Sequence, residues 1–353
     1  DFFTRRINPL RDRGLNGTYC WPRRLRRNVR CSSEAGKHHS DESLLGNDPR
    51  IHNQLSTEMK IAVVLSFFSP VQYELPQRHL HTVMNTLHAQ GLDVVVSQAV
   101  FPGQQPQRVP SAIKSLVYKT SSLLFHKERL WNLAAKSVDS DAIIFLDSDV
   151  VFKDSRWIEK CEAAFSSYDI IQPFSMAIWQ DEAGLPDMHR EPFAAAIGRG
   201  EKPCLTMFHP GFGWGLTRDA FERLGGFFDC SVAGNSDALF GLSLRTNDLH
   251  EQVEQWYAKR QDPSIGCASY RKYRLNASNN NFRIGVPQDV ELVHLWHGNR
   301  ANRQYISRTK LFPRGDDGEF AVHNAPNGLQ KWDWEEEANA STSQYFKDKR
   351  DDG

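Results

Sequence analysis

Residues 61–68, Ile61-Ala-Val-Val-Leu-Ser-Phe-Phe68, form a continuous apolar run that ends in Ser-Pro. Such a run predicts a strand buried on both faces. Leu80, Val83, Met84 and Leu87 follow at i, i+3, i+4 and i+7, which predicts a helix that Gly91 stops. Asp93-Val-Val-Val-Ser97 reads as a second strand, so β-α-β is complete in one short stretch, the unit of a parallel sheet. A second helix is expected over Ser122–Val138, with Leu124, Leu130, Leu133 and Ala134 on one side. It leads into Ala142-Ile-Ile-Phe-Leu146, another buried strand. Ser155 is positioned to cap a helix running to Phe165, and Asp169–Pro173 reads as the next strand. From about residue 175 the alternation loosens into loops rich in Gly, Pro and aromatics, with one late strand at Glu291–Trp296.

The pattern fixes the expected organisation. Residues 1–58 are polar and Arg-rich without a sustained period, and are expected to be an arm or linker. Residues 59–334 form a single α/β domain, with 59–174 as one half and 175–334 as the other, and 335–353 read as a solvated, charged tail.

Composition changes this picture little. Among the 353 residues, 43 Lys+Arg balance 43 Asp+Glu, and 40% hydrophobic content rules out a disordered chain. The neutrality is uneven, because residues 1–30 hold nine Arg against two Asp, leaving the remainder acidic. No apolar run reaches the roughly 18 residues needed to span a bilayer. The six cysteines show no zinc-like spacing. The compartment is left open between secretory lumen, cytoplasm and nucleus.

Candidate chemistry begins at Asp147-Ser148-Asp149, directly after a buried strand. Ligands of open α/β sheets sit beyond the carboxyl ends of strands, and alternation puts both carboxylates on one side. Two hard oxygen donors there suit Mg²⁺ or Mn²⁺. Asp147-Ser-Asp-Val-Val151 also fits the Asp-x-Asp-x-(Thr/Val) pattern of haloacid-dehalogenase-type phosphatases. That family carries the motif on its first strand and needs a second acidic motif, for which Gly315-Asp-Asp317 is the late candidate.

Three ordered elements resemble GT-A type glycosyltransferases, in which Asp-x-Asp holds a cation on the diphosphate of a nucleotide-sugar. The first is Asp147/Asp149. The second is His209-Pro-Gly-Phe-Gly-Trp-Gly-Leu-Thr-Arg-Asp-Ala-Phe-Glu-Arg-Leu-Gly-Gly-Phe-Phe-Asp229, followed by Gly234-Asn-Ser-Asp237. This block resembles the acceptor side of β-galactosyltransferases and polypeptide N-acetylgalactosaminyltransferases. The third is Val293-His-Leu-Trp-His-Gly298, with Arg300, Arg303 and Tyr305 after it. Together they span roughly residues 60–310 and imply a GT-A type Rossmann-like sandwich with a mostly parallel central sheet.

The resemblance implies transfer of a sugar from a nucleotide-sugar, most often a UDP-sugar, to an acceptor hydroxyl. It implies Mn²⁺ or Mg²⁺ on Asp147, Asp149 and His297. A three-residue spacing on a strand points His294 and His297 to opposite faces, so one of them is expected at the metal. The resemblance favours His297, which opens onto the basic run Gly298–Tyr305 as the metal-binding His of similar transferases does. Asp237 is implied as the base, and Gly213, Trp214, Gly215 and Asp237 as the acceptor side. Ser66, Arg78, Arg129, Asn132, Ser148, Arg300, Arg303 and Tyr305 are implied on the donor side. Asn-Ser-Asp stands where many relatives have Gly-Glu-Asp or Gly-Glu-Asn, so inversion or retention is open. The acceptor is open among glycan, protein, lipid and modified base. The His-Leu-Trp-His-Gly-Asn-Arg run is similar to that of phage members of a subgroup that glucosylates hydroxymethylated DNA bases. A last alternative is an inert core whose Arg-rich arm grips nucleic acid or another polyanion.

Overall fold

In strand β1 (Ile61–Phe68), Ala62 through Leu65 are wholly buried. Alternation sends Val63 and Leu65 to one face of the sheet and Val64 to the other. The first face is covered by α1 (Glu74–Ala89), whose buried residues are Leu80, Val83, Met84 and Leu87, as the periodicity predicts. Gly91, at φ 75°, stops that helix and turns the chain into β2 (Asp93–Val100). β3 (Lys114–Lys119), α2 (Lys127–Ala135) and β4 (Ala142–Leu146) follow. On the opposite face Val64, Ile143 and Phe145 pack against Trp131 and Ala134 of α2.

The computed structural model describes residues 59–201, 207–244, 263–305 and 307–353. The expected arm, and any polyanion contact through it, lies outside the described residues. No helix of the described residues is long and apolar enough to cross a membrane.

After β4 come β5 (Val150–Phe152), α3 (Trp157–Phe165), β6 (Ile170–Ile171) and the hairpin β7 (Met176–Gln180) and β8 (Pro186–Pro192). Then follow α4 (Phe193–Gly198), β9 (Phe208–His209), β10 (Gly213–Thr217), α5 (Arg218–Leu224), α6 (Ser236–Ser243) and α7 (Ala268–Asn279). The chain continues through β11 (Ile284–Gly285) and β12 (Glu291–His294) to the β13–β14 hairpin (Val322–Asn324, Gln330–Trp332) and α8 (Glu335–Asp348). The central sheet has the order β11-β6-β10-β4-β1-β2-β3. Its pairs are parallel except those of β10, which runs antiparallel to β4 and β6. A second sheet, β5-β12-β7-β8-β9, brings β12 beside β5. That pairing carries the late histidines to the strand end that bears Asp149.

Several elements differ from the sequence reading. The helix expected over 122–138 covers only Lys127–Ala135, while Leu124 turns into a separate apolar cluster with Phe312, Trp332 and Phe346. The stretch read as loops after 175 contains β7, β8 and β10, and β10 lies in the centre of the sheet. Residues 335–353 are no solvated tail: α8 buries Ala338, Thr342, Tyr345 and Phe346. Beyond it, the Asp352 carboxylate accepts from the backbone N–H groups of Glu74 and Leu75, at 3.0 and 2.7 Å. The last residues therefore cap the first helix, which has no side-chain cap of its own.

Candidate active site

β4 ends at Leu146, and the next three residues turn outward at the carboxyl edge of the sheet. The Asp147 N–H donates to the Phe212 carbonyl, and the Leu295 N–H donates to the Asp149 carbonyl, so two other segments are tied to this turn. Asp149 Oδ2 lies 2.8 Å from His297 Nε2 and 3.7 Å from His294 Nε2. The two imidazole Nε2 atoms are 3.0 Å apart. Ligand atoms of Asp149, His294 and His297 all lie within 4.8 Å of one another. Both histidines face the acid because β12 stops at His294, so strand alternation does not govern His297. The expectation of opposite faces fails for that reason.

The donor set fits a divalent cation. Asp149 Oδ1 and His294 Nδ1 are buried and make no hydrogen bond among the described residues. Burial opposes ionisation of Asp149, but the two imidazoles hold its carboxyl well below the usual range. Asp351, from the C-terminal segment, lies 3.5 Å from His297 Nδ1 and 3.2 Å from the Arg303 guanidinium. Arg303 in turn lies against the His297 ring, 2.8 Å from Nε2.

Asp147 takes a different partner. Lys127, in the first turn of α2, places Nζ 3.2 Å from Asp147, 3.4 Å from Asp237 and 3.5 Å from Glu128. Burial works against the Lys127 charge, yet the three carboxylates outweigh it and raise its pKa well above the usual value. Burial also pushes Glu128 up to about 7. For Asp237 burial is again opposed, chiefly by Lys127 and then His209, and its pKa falls below the ordinary value. Asp237 sits in the first turn of α6, and its Oδ1 accepts from the Ala238 N–H at 2.7 Å. One buried ammonium thus joins the Asp-Ser-Asp turn to the α6 acid.

The glycine-rich segment shapes the floor between them. A Cβ on Gly211 would stand 2.6 Å from Asp237 Oδ2 and 3.1 Å from His209 Nε2, so only glycine leaves that approach free. Phe212 holds a left-handed backbone at φ 76°, a strained state for a bulky residue. Its ring stacks on His294, with centroids 4.7 Å apart and planes at 21°.

One cleft gathers Ser66, Lys127, Glu128, Asp147, Ser148, Asp149, His209, Asp237, His294, His297, Arg303 and Tyr305. Of the residues expected on the donor side, Ser66, Ser148, Arg303 and Tyr305 are there. Four are elsewhere. Arg78 is an exposed partner of Glu74, and Arg300 pairs with Asp187 at 2.7 Å on the surface. Arg129 and Asn132 instead bind Asp229 at 3.1 and 2.9 Å, tying α2 to the segment after α5. The α2 residues that reach the cleft are Lys127 and Glu128, at the start of the helix.

The acceptor-side expectation is corrected as well. Trp214 is fully buried, donates from Nε1 to the Pro210 carbonyl, and packs edge-on against Phe240. It has no face to offer a sugar. A Cβ on Gly213 would meet Leu146 at 2.7 Å, and one on Gly215 would meet Ile171 and Phe165 at 2.9 Å. Those two glycines let β10 lie close to its neighbours inside the sheet. Asp237 alone of that set opens on the cleft. Asp316 and Asp317 do not line it, so the second acidic motif of the phosphatase reading is missing there.

Residues 111–225, from the approach to β3 to the end of α5, match the sequence profile of glycosyl transferase family 2. No curated protein matches the chain. Among solved structures, a mannosyltransferase from Pyrobaculum calidifontis in complex with GDP-Man and Mn²⁺ is 12% identical with a TM-score of 0.41, covering 70% of this chain and 60% of its own. Staphylococcus aureus TarS 1-349 in complex with UDP-GlcNAc is 12% identical, TM-score 0.34, with 52% of each chain covered. A Drosophila β1,4-galactosyltransferase 7 in complex with manganese, UDP-Gal and xylobiose is 12% identical, TM-score 0.31, covering 53% of this chain and 61% of its own. This chain therefore spans less than two thirds of each of those structures. The family 2 match runs from β3 to α5 and so takes in β4 and the Asp147-Ser148-Asp149 turn.

Proposed function

We propose that the chain moves a sugar from a nucleotide-sugar, with UDP-sugars the first class to try, to an acceptor hydroxyl. Asp149, His294 and His297 would hold a divalent cation, and imidazole donors favour Mn²⁺ over Mg²⁺. Asp147, first expected as a ligand, serves instead as the Lys127 partner. When bound, the cation supplies positive charge to the diphosphate of the donor. The single observation that carries the reading is the convergence of that donor set and Asp237 on one cleft at the carboxyl end of the sheet.

The chain's own residues divide the remaining tasks. Asp237 takes the proton of the acceptor hydroxyl as its oxygen bonds to the anomeric carbon. The bond from that carbon to the diphosphate oxygen breaks, and its electron pair leaves with the nucleotide. Asp237 is ionised at neutral pH, as a base must be, because the Lys127 ammonium offsets its burial. Arg303 lines the same cleft and adds positive charge beside the leaving group. Lys127 keeps the α6 acid and the Asp-Ser-Asp turn in fixed relation.

The test is release of nucleoside diphosphate from UDP- and GDP-sugars with and without Mn²⁺. Asp237→Asn is expected to lower transfer by about 10²–10⁴-fold while Mn²⁺ binding persists. His294→Ala and His297→Ala are each expected to weaken Mn²⁺ binding at least about tenfold, read by paramagnetic resonance. Unchanged Mn²⁺ affinity in both histidine variants would remove the metal assignment.

A further inference from the structure

His209 is a cleft side chain that neither the metal set nor the Lys127 cluster uses. It ends β9, where its carbonyl accepts from Gln172 Nε2 at 3.2 Å. Trp179 meets the imidazole edge-on at 4.7 Å, and Phe212 lies 4.0 Å from it, so the ring is held between two aromatics. His209 lines the cleft, and its Nε2 is buried and makes no hydrogen bond among the described residues. Buried polar atoms without partners are rare, and one facing a cleft points to a ligand. Burial pushes the imidazole pKa down to about 3, so it is neutral at pH 7. Asp237 Oδ2 and His209 Nε2 both crowd the point where a Gly211 Cβ would stand, at 2.6 and 3.1 Å. The two polar atoms therefore close in side by side over the Gly211 backbone, in the wall of one cleft.

We propose that Asp237 Oδ2 and His209 Nε2 grip adjacent hydroxyls of one acceptor, which makes the acceptor a vicinal diol, a sugar or polyol, rather than a lone hydroxyl. Asp237 takes the reacting hydroxyl and His209 its neighbour. The imidazole serves in either tautomer, since a hydroxyl both donates and accepts. A lone hydroxyl, as on a serine side chain or a hydroxymethylated base, leaves His209 Nε2 buried without a partner. The inference rests on Asp237 being the base of the proposed reaction.

The experiment uses the full chain with Mn²⁺ and whichever UDP- or GDP-sugar it hydrolyses fastest. Acceptor probes are methyl glycosides of glucose, galactose and xylose, the same glycosides singly O-methylated, a serine peptide and a hydroxymethylated oligonucleotide. Transfer to an unblocked glycoside is expected, with at least about tenfold loss when the neighbouring hydroxyl is methylated. His209→Ala should raise the glycoside KM by a similar factor and lower the ratio of transfer to donor hydrolysis. It should also erase the discrimination against the O-methylated probe, and His209→Gln should restore part of it. Donor hydrolysis with transfer only to the peptide or the oligonucleotide overturns the diol proposal. So does hydrolysis without transfer to any glycoside. Equal loss of hydrolysis and transfer in His209→Ala also overturns it, since that marks a merely structural role. Absence of donor hydrolysis in the wild type defeats instead the transferase reading on which the proposal stands.

Discussion

Lys127 and the three carboxylates around it form a buried charge cluster in which each member depends on the others. Removing the lysine leaves acids unpaired in a low-dielectric site, so Lys127→Met should destabilise the fold by about 3–5 kcal/mol in urea unfolding. Glu128 offers a separate test. Its folded pKa of about 7 lies above the ordinary 4.5, so the folded state holds the proton more tightly than the unfolded chain. Stability conferred by that proton is lost as pH rises from about 4.5 to about 7 and does not fall further above. In Glu128→Gln, Tm relative to wild type should rise through that window and level off above it; a flat difference would contradict the shift. Gly211→Ala should cut turnover by displacing the Asp237 carboxylate, with a far-ultraviolet spectrum like wild type. At this scale the places of Asp149 and Asp237 in the fold were legible in the sequence, because each sits at a strand or helix end that the hydrophobic pattern marks. Lys127 was not separable from Arg129: both lie on α2, and only the packing of that helix decides which one meets the strand ends. His294 was misjudged because the end of β12 depends on its pairing with β5 and β7.

The helix α1 and the strands β1, β2 and β4 were readable because they are regular and bury an uninterrupted face. β10 was not, because its Gly213 and Gly215 look like loop residues and owe their presence to close packing in the sheet. The C-terminal helix α8 had a signal: Ala338, Thr342, Tyr345 and Phe346 recur at helical spacing, and Glu335, Glu336 and Glu337 fill its first turn, where acids suit the dipole. The density of charge around those four residues masked it. This element has two measurable consequences. Phe346→Ala empties part of the cluster that Phe125, Phe312 and Tyr345 complete, and should cost about 3–5 kcal/mol in urea unfolding. Asp352→Ala uncaps α1 and should cost about 1 kcal/mol by the same measurement.

For the whole molecule, neutrality hides an Arg-rich first stretch and an acidic remainder, and the candidate site lies in the acidic part. There the acids are not dispersed. Asp147, Asp237 and Glu128 share one lysine, while Asp149 faces two histidines, so the site is divided between an internal cation and a place for an added one. The proposed transferase, built in this way, should need its metal for every turnover. The most direct measurement is release of nucleoside diphosphate from a panel of UDP- and GDP-sugars by wild type and Asp149→Asn, each with Mn²⁺ and with chelator. Turnover by the wild type with Mn²⁺, lost in chelator and lost in Asp149→Asn, is the expected result. Near-normal rates in chelator or in Asp149→Asn would contradict the metal-centred reading.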